Sequence, residues 1–304
     1  MTSRIATWIG VDWGTSNFRA WVFDADNTVL DVVITDQGMG TLAPSEFEPT
    51  LVAAIGPYLS NTPIPVLCCG MVGARQGWIE AAYSKVPCAP LDADTALRVS
   101  ASDPRIQPFI LPGLKQDNPA DVMRGEETQI AGFLAKTPKF DGVICLPGTH
   151  TKWVHISAGE IVSFRTFMTG EMFALLSTKS VLRHSVADKG WDDIGFENAV
   201  ADAMSHPQLV ASKLFGLRAQ DLVRGLSGAS AKSQLSGMLI GAELAGSKPY
   251  WLGQNIVIIG HPELTSLYAA ALRVQDVPAE MTSGETMTLE GLKSAYNILI
   301  KKTQ

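Results

Sequence analysis

The opening segment is a succession of short apolar runs parted by polar turns. Ile5–Asp12, Phe18–Phe23 and Thr28–Ile34 read as three strands, with Asp24-Ala25-Asp26-Asn27 supplying turn chemistry between the last two. A helix is expected from Phe47 to Leu59. A strand over Pro65–Cys69 then enters a glycine-rich loop, Gly70-Met71-Val72-Gly73-Ala74-Arg75-Gln76-Gly77-Trp78. A further helix is expected to begin near Asn118, with Pro119 at its first position, and to run to Lys136 with Gly125 inside it. Gly142–Leu146 is a continuous apolar run of the buried-strand kind. It leads through Pro147-Gly148-Thr149-His150 into a hairpin of Lys152–Ile156 and Glu160–Phe164 around Ser157-Ala158-Gly159. Helical segments dominate from Gly170, including Phe196–Met204 and Leu235–Ala245. Ile256–Gly260 returns to strand and Glu263–Arg273 to helix. A final helix is expected over about Gly284–Ile300.

Two of these stretches repeat one another. Asp12-Trp13-Gly14-Thr15-Ser16-Asn17-Phe18-Arg19 lies over Leu146-Pro147-Gly148-Thr149-His150-Thr151-Lys152-Trp153 without a gap. Each is an apolar strand, a Gly-Thr turn and a basic/aromatic strand, and each continues through a polar turn into a third apolar strand. The repeat predicts two like domains whose turns face a shared cleft.

Composition narrows the class. The chain has 304 residues, 46% hydrophobic and 18% charged, enough for two cores and too apolar for disorder. Its formal net charge of −6 argues against nucleic acid as a partner, which needs a basic face. The N-terminus, MTSRIATWIGVDWG, meets Asp12 too soon for a signal-peptide core, and no apolar run reaches the length of a membrane span. The four cysteines, Cys68, Cys69, Cys88 and Cys145, form no C-x-x-C pair and read as reduced thiols of a cytoplasmic protein.

The chemistry concentrates at the repeated turns. An aspartate at a strand end points its carboxylate beyond the sheet. Gly14 permits a tight turn whose following backbone N–H groups can cradle phosphate oxygens, and Thr15 and Ser16 add hydroxyl donors. A carboxylate beside phosphate makes physical sense when Mg²⁺, usually through its waters, lies between them, so Asp12 is the candidate metal residue. The alternative is a plain hairpin turn with a solvated aspartate. This turn resembles the first phosphate motif of the actin/Hsp70/hexokinase superfamily, and Pro147-Gly148-Thr149-His150-Thr151-Lys152 resembles the second. There Gly148 and Thr149 suit close approach of phosphate. His150 is either a structural donor or a catalytic group, and Lys152 either neutralises phosphate charge or is an exposed strand lysine. The superfamily's adenosine motif is a strand, a small-residue turn and a helix start. Ile256–Gly260 followed by His261-Pro262-Glu263 has that shape, with His261 where a second glycine is usual.

The resemblance also implies a carboxylate that takes the acceptor's proton, on a helix start before the second phosphate motif. Asp121-Val122-Met123-Arg124-Gly125-Glu126-Glu127 occupies that place. Gly125 can break or begin a helix, which puts Glu126 ahead of Asp121 as the base. The bland alternative leaves these acids on a helix surface with Arg124 as neighbour.

The chain resembles one narrower family, the 2-dehydro-3-deoxygalactonokinases. The carrying stretches are Trp8–Arg19, CGMVGARQGW at Cys69–Trp78, RGEETQIAG at Arg124–Gly132, LPGTHTKW at Leu146–Trp153 and TGEMFALL at Thr169–Leu176. The resemblance implies ATP-dependent phosphorylation of the 6-hydroxyl of 2-dehydro-3-deoxygalactonate in galactonate catabolism. A 2-keto acid carries a carboxylate that an arginine fork recognises. Arg75, inside the glycine-rich loop, is the preferred partner over Arg19 and Arg165. Gly38-Met39-Gly40 offers a second close-approach loop, and Trp78 is either a pocket wall or core.

The expected fold is therefore α/β, two domains of the actin/hexokinase-like (ribonuclease H-like) kind around an interdomain ATP cleft. Domain I spans residues 1–136 and carries most sugar contacts. Domain II spans 137–304 and carries the adenosine contacts, with the helix 284–300 packing back on domain I. Two alternatives stand: a kinase for another sugar acid such as 2-dehydro-3-deoxygluconate, or a non-kinase nucleotide-dependent regulator. The epimer preferred and the oligomeric state, homo-oligomer included, are left open.

Overall fold

The protein is described by a computed structural model covering residues 5–92, 95–187 and 189–303; the reading of the N-terminus also rests on residues 1–4, which lie outside these. The chain forms two compact units. Unit 1 takes Met1–Phe140, Ser157–Ser163 and Gly284–Gln304, and unit 2 takes Asp141–Ile156 and Phe164–Ser283. The hairpin tip Ser157–Ser163, assigned with the second domain on sequence, thus groups with unit 1, where Ile161 bridges Cys88.

Among the described residues unit 1 holds nine strands: β1 (Trp8–Trp13), β2 (Phe18–Phe23), β3 (Val29–Thr35), β4 (Ile64–Gly70), β5 (Tyr83–Lys85), β6 (Leu97–Arg98), β7 (Ile106–Ile110), β8 (Gly113–Asp117) and β9 (Ala120–Met123). The main sheet runs β3-β2-β1-β4-β7-β6, and β5-β8-β9 form a second, smaller sheet. β1, β2 and β3 are an antiparallel meander, while β4 and β7 add in parallel beside β1. Successive side chains of a strand point to opposite faces. Ile9, Val11 and Trp13 pack with Phe47, Leu51 and Ile55 of the helix Phe47–Ile55. Trp8 goes to the opposite face, with Trp21, Phe23, Leu67 and Cys69, beneath Ala131 of the helix Glu126–Lys136 and Leu292 and Ala295 of the helix Gly284–Thr303. Those two helices touch backbone to backbone: a Cβ at Gly132 would overlap Met287 O, and one at Gly291 would overlap Thr128 O. Trp8 stacks on Tyr296 of the last helix at 4.1 Å.

The helix expected from Asn118 is not there. Asn118 and Pro119 form the turn of the β8–β9 hairpin, where Gln116 Nε2 donates to Pro119 O at 2.9 Å. Helix begins only at Glu126, after Gly125 takes φ 106°. Pro119 is a turn proline rather than a first-turn proline: β9 is held by pairing with β8, a partner that helix propensity does not weigh.

Unit 2 repeats the plan. β10 (Gly142–Leu146), β11 (Thr151–Ser157), β12 (Glu160–Phe167), β13 (Ile256–Gly260) and β14 (Glu280–Ser283) lie in the order β12-β11-β10-β13-β14. Again β10 and β11 pair antiparallel, and β13 and β14 add in parallel beside β10. The ungapped overlay read from the sequence is off by one residue. Asp12 faces Arg19 across the first turn with six residues between them, but Leu146, which lies over Asp12, faces Lys152 with five between them, so the second turn is one residue shorter. The helices Asp193–Ser205 and Gly228–Gly246 cover this sheet, crossing closely where Gly237 meets Phe196 O and Gly241 meets Val200 O.

Candidate active site

In unit 1 the period-two alternation of β1 puts Asp12 on the Trp8 face, the face carrying the starts of both covering helices. Its electrostatic neighbours are Arg19, directly opposite on β2, and Glu126 and Glu285 in the first turns of those helices. Burial pushes the Asp12 carboxyl up to about 6; Arg19 opposes the rise while Glu126 and Glu285 add to it. Arg19 itself reaches Glu285 at 3.4 Å.

The segment before the helix is locked by its own carboxylates. Glu126 Oε2 accepts the Arg124 backbone N–H at 3.0 Å, and both oxygens of Glu127 accept the Gly125 N–H, at 2.9 and 2.7 Å. This satisfies donors near a helix N-terminus, where negative charge is also favoured. Gly125 lies against Gly70, and Gly70, at φ 87°, lies against Trp13 O and Asp12 Oδ1. Asp12 and Glu126 are thus brought together through two glycines, one at the end of β4 and one before the helix. Asp121 sits on β9, its Oδ1 accepting the Val122 N–H, and it is not among the charges acting on Asp12.

Gly14, Thr15 and Ser16 form the exposed β1–β2 turn, closed by Gly14 N–H to Asn17 O at 2.9 Å. Gly38 and Gly40 support this turn from behind. Met39 N–H and Gly40 N–H donate to the carbonyls of Gly14 and Thr15, both at 2.9 Å, and a Cβ at Gly38 would overlap Thr15 O. Close approach of backbone to backbone is thus what these two glycines provide. Trp78 stacks on Phe47 at 6.4 Å and packs on the core around β1. Arg75 stands on the loop with its side chain 80% exposed, 3.5 Å from Glu80.

Unit 2 contributes a cavity of about 780 Å³. The turn residues Gly148 and Thr149 open on it, and so do Glu263 and Leu264, at the start of the helix Pro262–Arg273 just past Gly260 and His261. Leu239, Ile240 and Leu267 give it apolar walls. A backbone turn rich in N–H groups at one end and an apolar chamber at the other suit a nucleoside phosphate. The turn is held from the next helix, Thr169–Thr178. Glu171 N–H donates to Thr149 O at 2.9 Å, His150 Nε2 pairs with Glu171 Oε2 at 2.6 Å, and Gly170 sits so close to Gly148 O that no Cβ fits. His150 is thereby tied to Glu171. Lys152 is buried on β11, not the exposed strand lysine of the alternative reading.

Beneath the cavity lies a buried carboxyl that sequence reasoning missed. Glu243, 2% exposed, accepts from Trp153 Nε1 and from Tyr268 OH, each at 2.8 Å, and also bonds Thr151 and Thr169. Burial pushes it up to about 7 against those hydrogen bonds. Glu127, 1% exposed, is likewise raised to about 7 by burial, with Glu126 adding to the rise.

Residues 12–295 match the 2-keto-3-deoxy-galactonokinase family along their whole length. The chain belongs to that family. A probable 2-dehydro-3-deoxygalactonokinase of Rhizobium meliloti is 37% identical over 94% of this chain and 95% of its own length. The 2-dehydro-3-deoxygalactonokinase of Escherichia coli is 31% identical over 97% and 98%. Among solved structures, a Sinorhizobium meliloti protein described as a putative 2-dehydro-3-deoxygalactonokinase superposes with a TM-score of 0.90 at 35% identity, covering 96% of this chain and 99% of that one. Component A of the Acidaminococcus fermentans (R)-2-hydroxyglutaryl-CoA dehydratase, at 10% identity and a TM-score of 0.51, shares the fold over 95% of this chain and 98% of its own. As a galactonokinase-family member the protein is a phosphotransferase with the two-domain sugar-kinase fold, using ATP and a sugar acid. Among its described residues no helix is long and apolar enough to cross a membrane. The family member's cavity wall on Gly228–Gly246 was legible only indirectly. Gly237 and Gly241, four apart, signalled a close helix crossing but not which residues the crossing would turn inward.

Proposed function

We propose that this kinase transfers the γ-phosphoryl group of ATP to the 6-hydroxyl of 2-dehydro-3-deoxy-D-galactonate, giving the 6-phosphate and ADP. The observation that carries the reading is the convergence of Asp12 with Glu126 at the end of β1, in a chain whose relatives bear that activity in their names.

Phosphoryl transfer proceeds through a loose transition state, so positioning and charge neutralisation supply most of the rate. Glu126 is assigned the acceptor hydroxyl. Held by the Arg124 N–H, its carboxylate orients the hydroxyl first and takes its proton late, as the bond to phosphorus forms. Gly14, Thr15 and Ser16, with Gly148 and Thr149, are assigned the phosphates, and the chamber beside Glu263 and Leu264 the adenosine. Asp12 fits a magnesium site. Its carboxyl is raised among other acids, and a nearby divalent cation would restore its charge. Mg²⁺ bound there would offset the charge of the phosphates. ADP release is the test, measured across a panel of aldonic and 2-keto-3-deoxy acids. Release should depend on 2-dehydro-3-deoxygalactonate and on Mg²⁺. Faster turnover of the gluconate epimer, or ATP hydrolysis indifferent to any acid, would sink the assignment.

A further inference from the structure

A guanidinium withdrawn from water is stable only where its N–H groups meet acceptors. Arg124 departs from this. It is 9% exposed, its Nη2 donates to Ala81 O at 2.8 Å, and its plane lies over the Tyr83 ring at 4.2 Å. Its Nε and Nη1 are both buried and reach no acceptor among the described residues. The chain accommodates this side chain with care: a Cβ at Gly73 of the glycine-rich loop would lie 2.8 Å from Nη1.

The location is also particular. Arg124 opens the segment Arg124-Gly125-Glu126, and its own backbone N–H holds the Glu126 carboxylate. Gly125 rests on Gly70, which rests on Asp12. A half-satisfied cation therefore stands two residues from the group assigned to the acceptor hydroxyl.

We infer that Arg124, not Arg75, binds the carboxylate of the sugar-acid substrate. The inference rests on the proposed function and names the group that reads the acid end of that substrate. The reaction brings two kinds of anion, phosphate and carboxylate. The backbone turns at Gly14–Ser16 and Gly148–Thr149 are suited to the first. Arg19 Nε is also buried without an acceptor among the described residues, but Arg19 is already paired with Glu285, which leaves the second for Arg124. Arg124 and Glu126 stand on one short segment, so their side chains are placed by the same stretch of backbone. Arg75 is exposed and pairs with Glu80 at the solvent-facing surface, where such pairs are weak. Arg124 is already desolvated and clamped between Ala81 and Tyr83, so it loses little freedom on binding. Nη1 lies beneath the glycine-rich loop, at Gly73.

The test compares the sugar acid with its neutral methyl ester in the ADP-release assay, for the wild type, Arg124→Gln, Arg124→Lys and Arg75→Ala. The wild type should prefer the acid by about ten- to a hundredfold in KM. Arg124→Gln should abolish that preference by raising KM for the acid alone, with kcat and the KM for ATP close to wild type. Arg124→Lys keeps the charge without the planar fork and should show a smaller loss, again confined to the acid. Thermal unfolding of each variant checks that it is folded, and the lysine variant carries the test if the glutamine one is not. Equal losses on acid and ester would make Arg124 structural and overturn the inference. So would an acid-selective loss in Arg75→Ala, a result that does not depend on any Arg124 variant folding. A wild type that phosphorylates neither compound would instead overturn the proposed function itself.

Discussion

Glu243 offers a measurement in which the buried network of unit 2 sets its own scale. Its carboxyl ordinarily titrates near 4.5 and is raised by burial to about 7 in the folded protein. The folded state therefore holds a proton that the unfolded state has already lost between those values. The associated stability is complete below 4.5 and disappears as pH rises through about 7. At about 1.36 kcal/mol per unit, the full loss is about 3 kcal/mol. Between about pH 5.5 and about pH 8, the same two values give about 2 kcal/mol. Glu243→Gln removes the titration and keeps a polar side chain between Trp153 Nε1 and Tyr268 OH. Whatever fixed cost the altered hydrogen bonds bring is the same at every pH. The readout is therefore the change in the difference between variant and wild type, which should move by about 2 kcal/mol in the variant's favour across that range. Equilibrium urea denaturation followed by tryptophan fluorescence provides both curves. A difference that does not vary with pH would mean that Glu243 is ionised in the folded protein throughout. Burial would then not dominate the three hydroxyls and the indole that surround it.

Three further outcomes are expected. Glu126→Gln should lower kcat by about 10²–10⁴-fold while both substrates still bind, and Asp121→Asn, on β9, should do far less; the reverse order in steady-state kinetics would move the base to Asp121. Asp12→Asn should nearly abolish turnover with the fold intact. In the wild type, kcat/KM should fall below about pH 6 as the Asp12 carboxyl, raised to about 6 by burial, takes up its proton, and near-normal activity of the variant at saturating Mg²⁺ and ATP would remove Asp12 from the site. Gly170→Ala forces a Cβ into Gly148 O and should raise the KM for ATP by up to about a hundredfold through displacement of the turn, leaving the KM for the sugar acid unchanged; an unaltered KM for ATP would separate that turn from the nucleotide.

The sequence by itself determined the local elements whose signals are local. The apolar runs of β1, β2, β10 and β13 and the long amphipathic helices can be read from periodicity. So can the two glycine-threonine turns, because a tight turn after a strand leaves few residue choices. The distinctive stretches around them pointed to the family. The five strands among the described residues between Tyr83 and Met123 were not legible, since each has two to five residues and owes its existence to a partner elsewhere in the chain. Only the tertiary structure decided what the polar residues do. Gly38 and Gly40 looked like ligand-approach glycines, yet they serve the back of the Gly14–Ser16 turn. Arg75, expected to meet the ligand from its glycine-rich loop, is exposed, while Arg124, which entered only as a neighbour of the acids in the alternative reading, is buried. Glu127 and Glu243 carry no mark in the sequence that separates them from solvated acids. Burial, hydrogen bonding and the company of other charges arise from segments far apart along the chain, and a carboxyl acquires its chemistry only when those segments close around it.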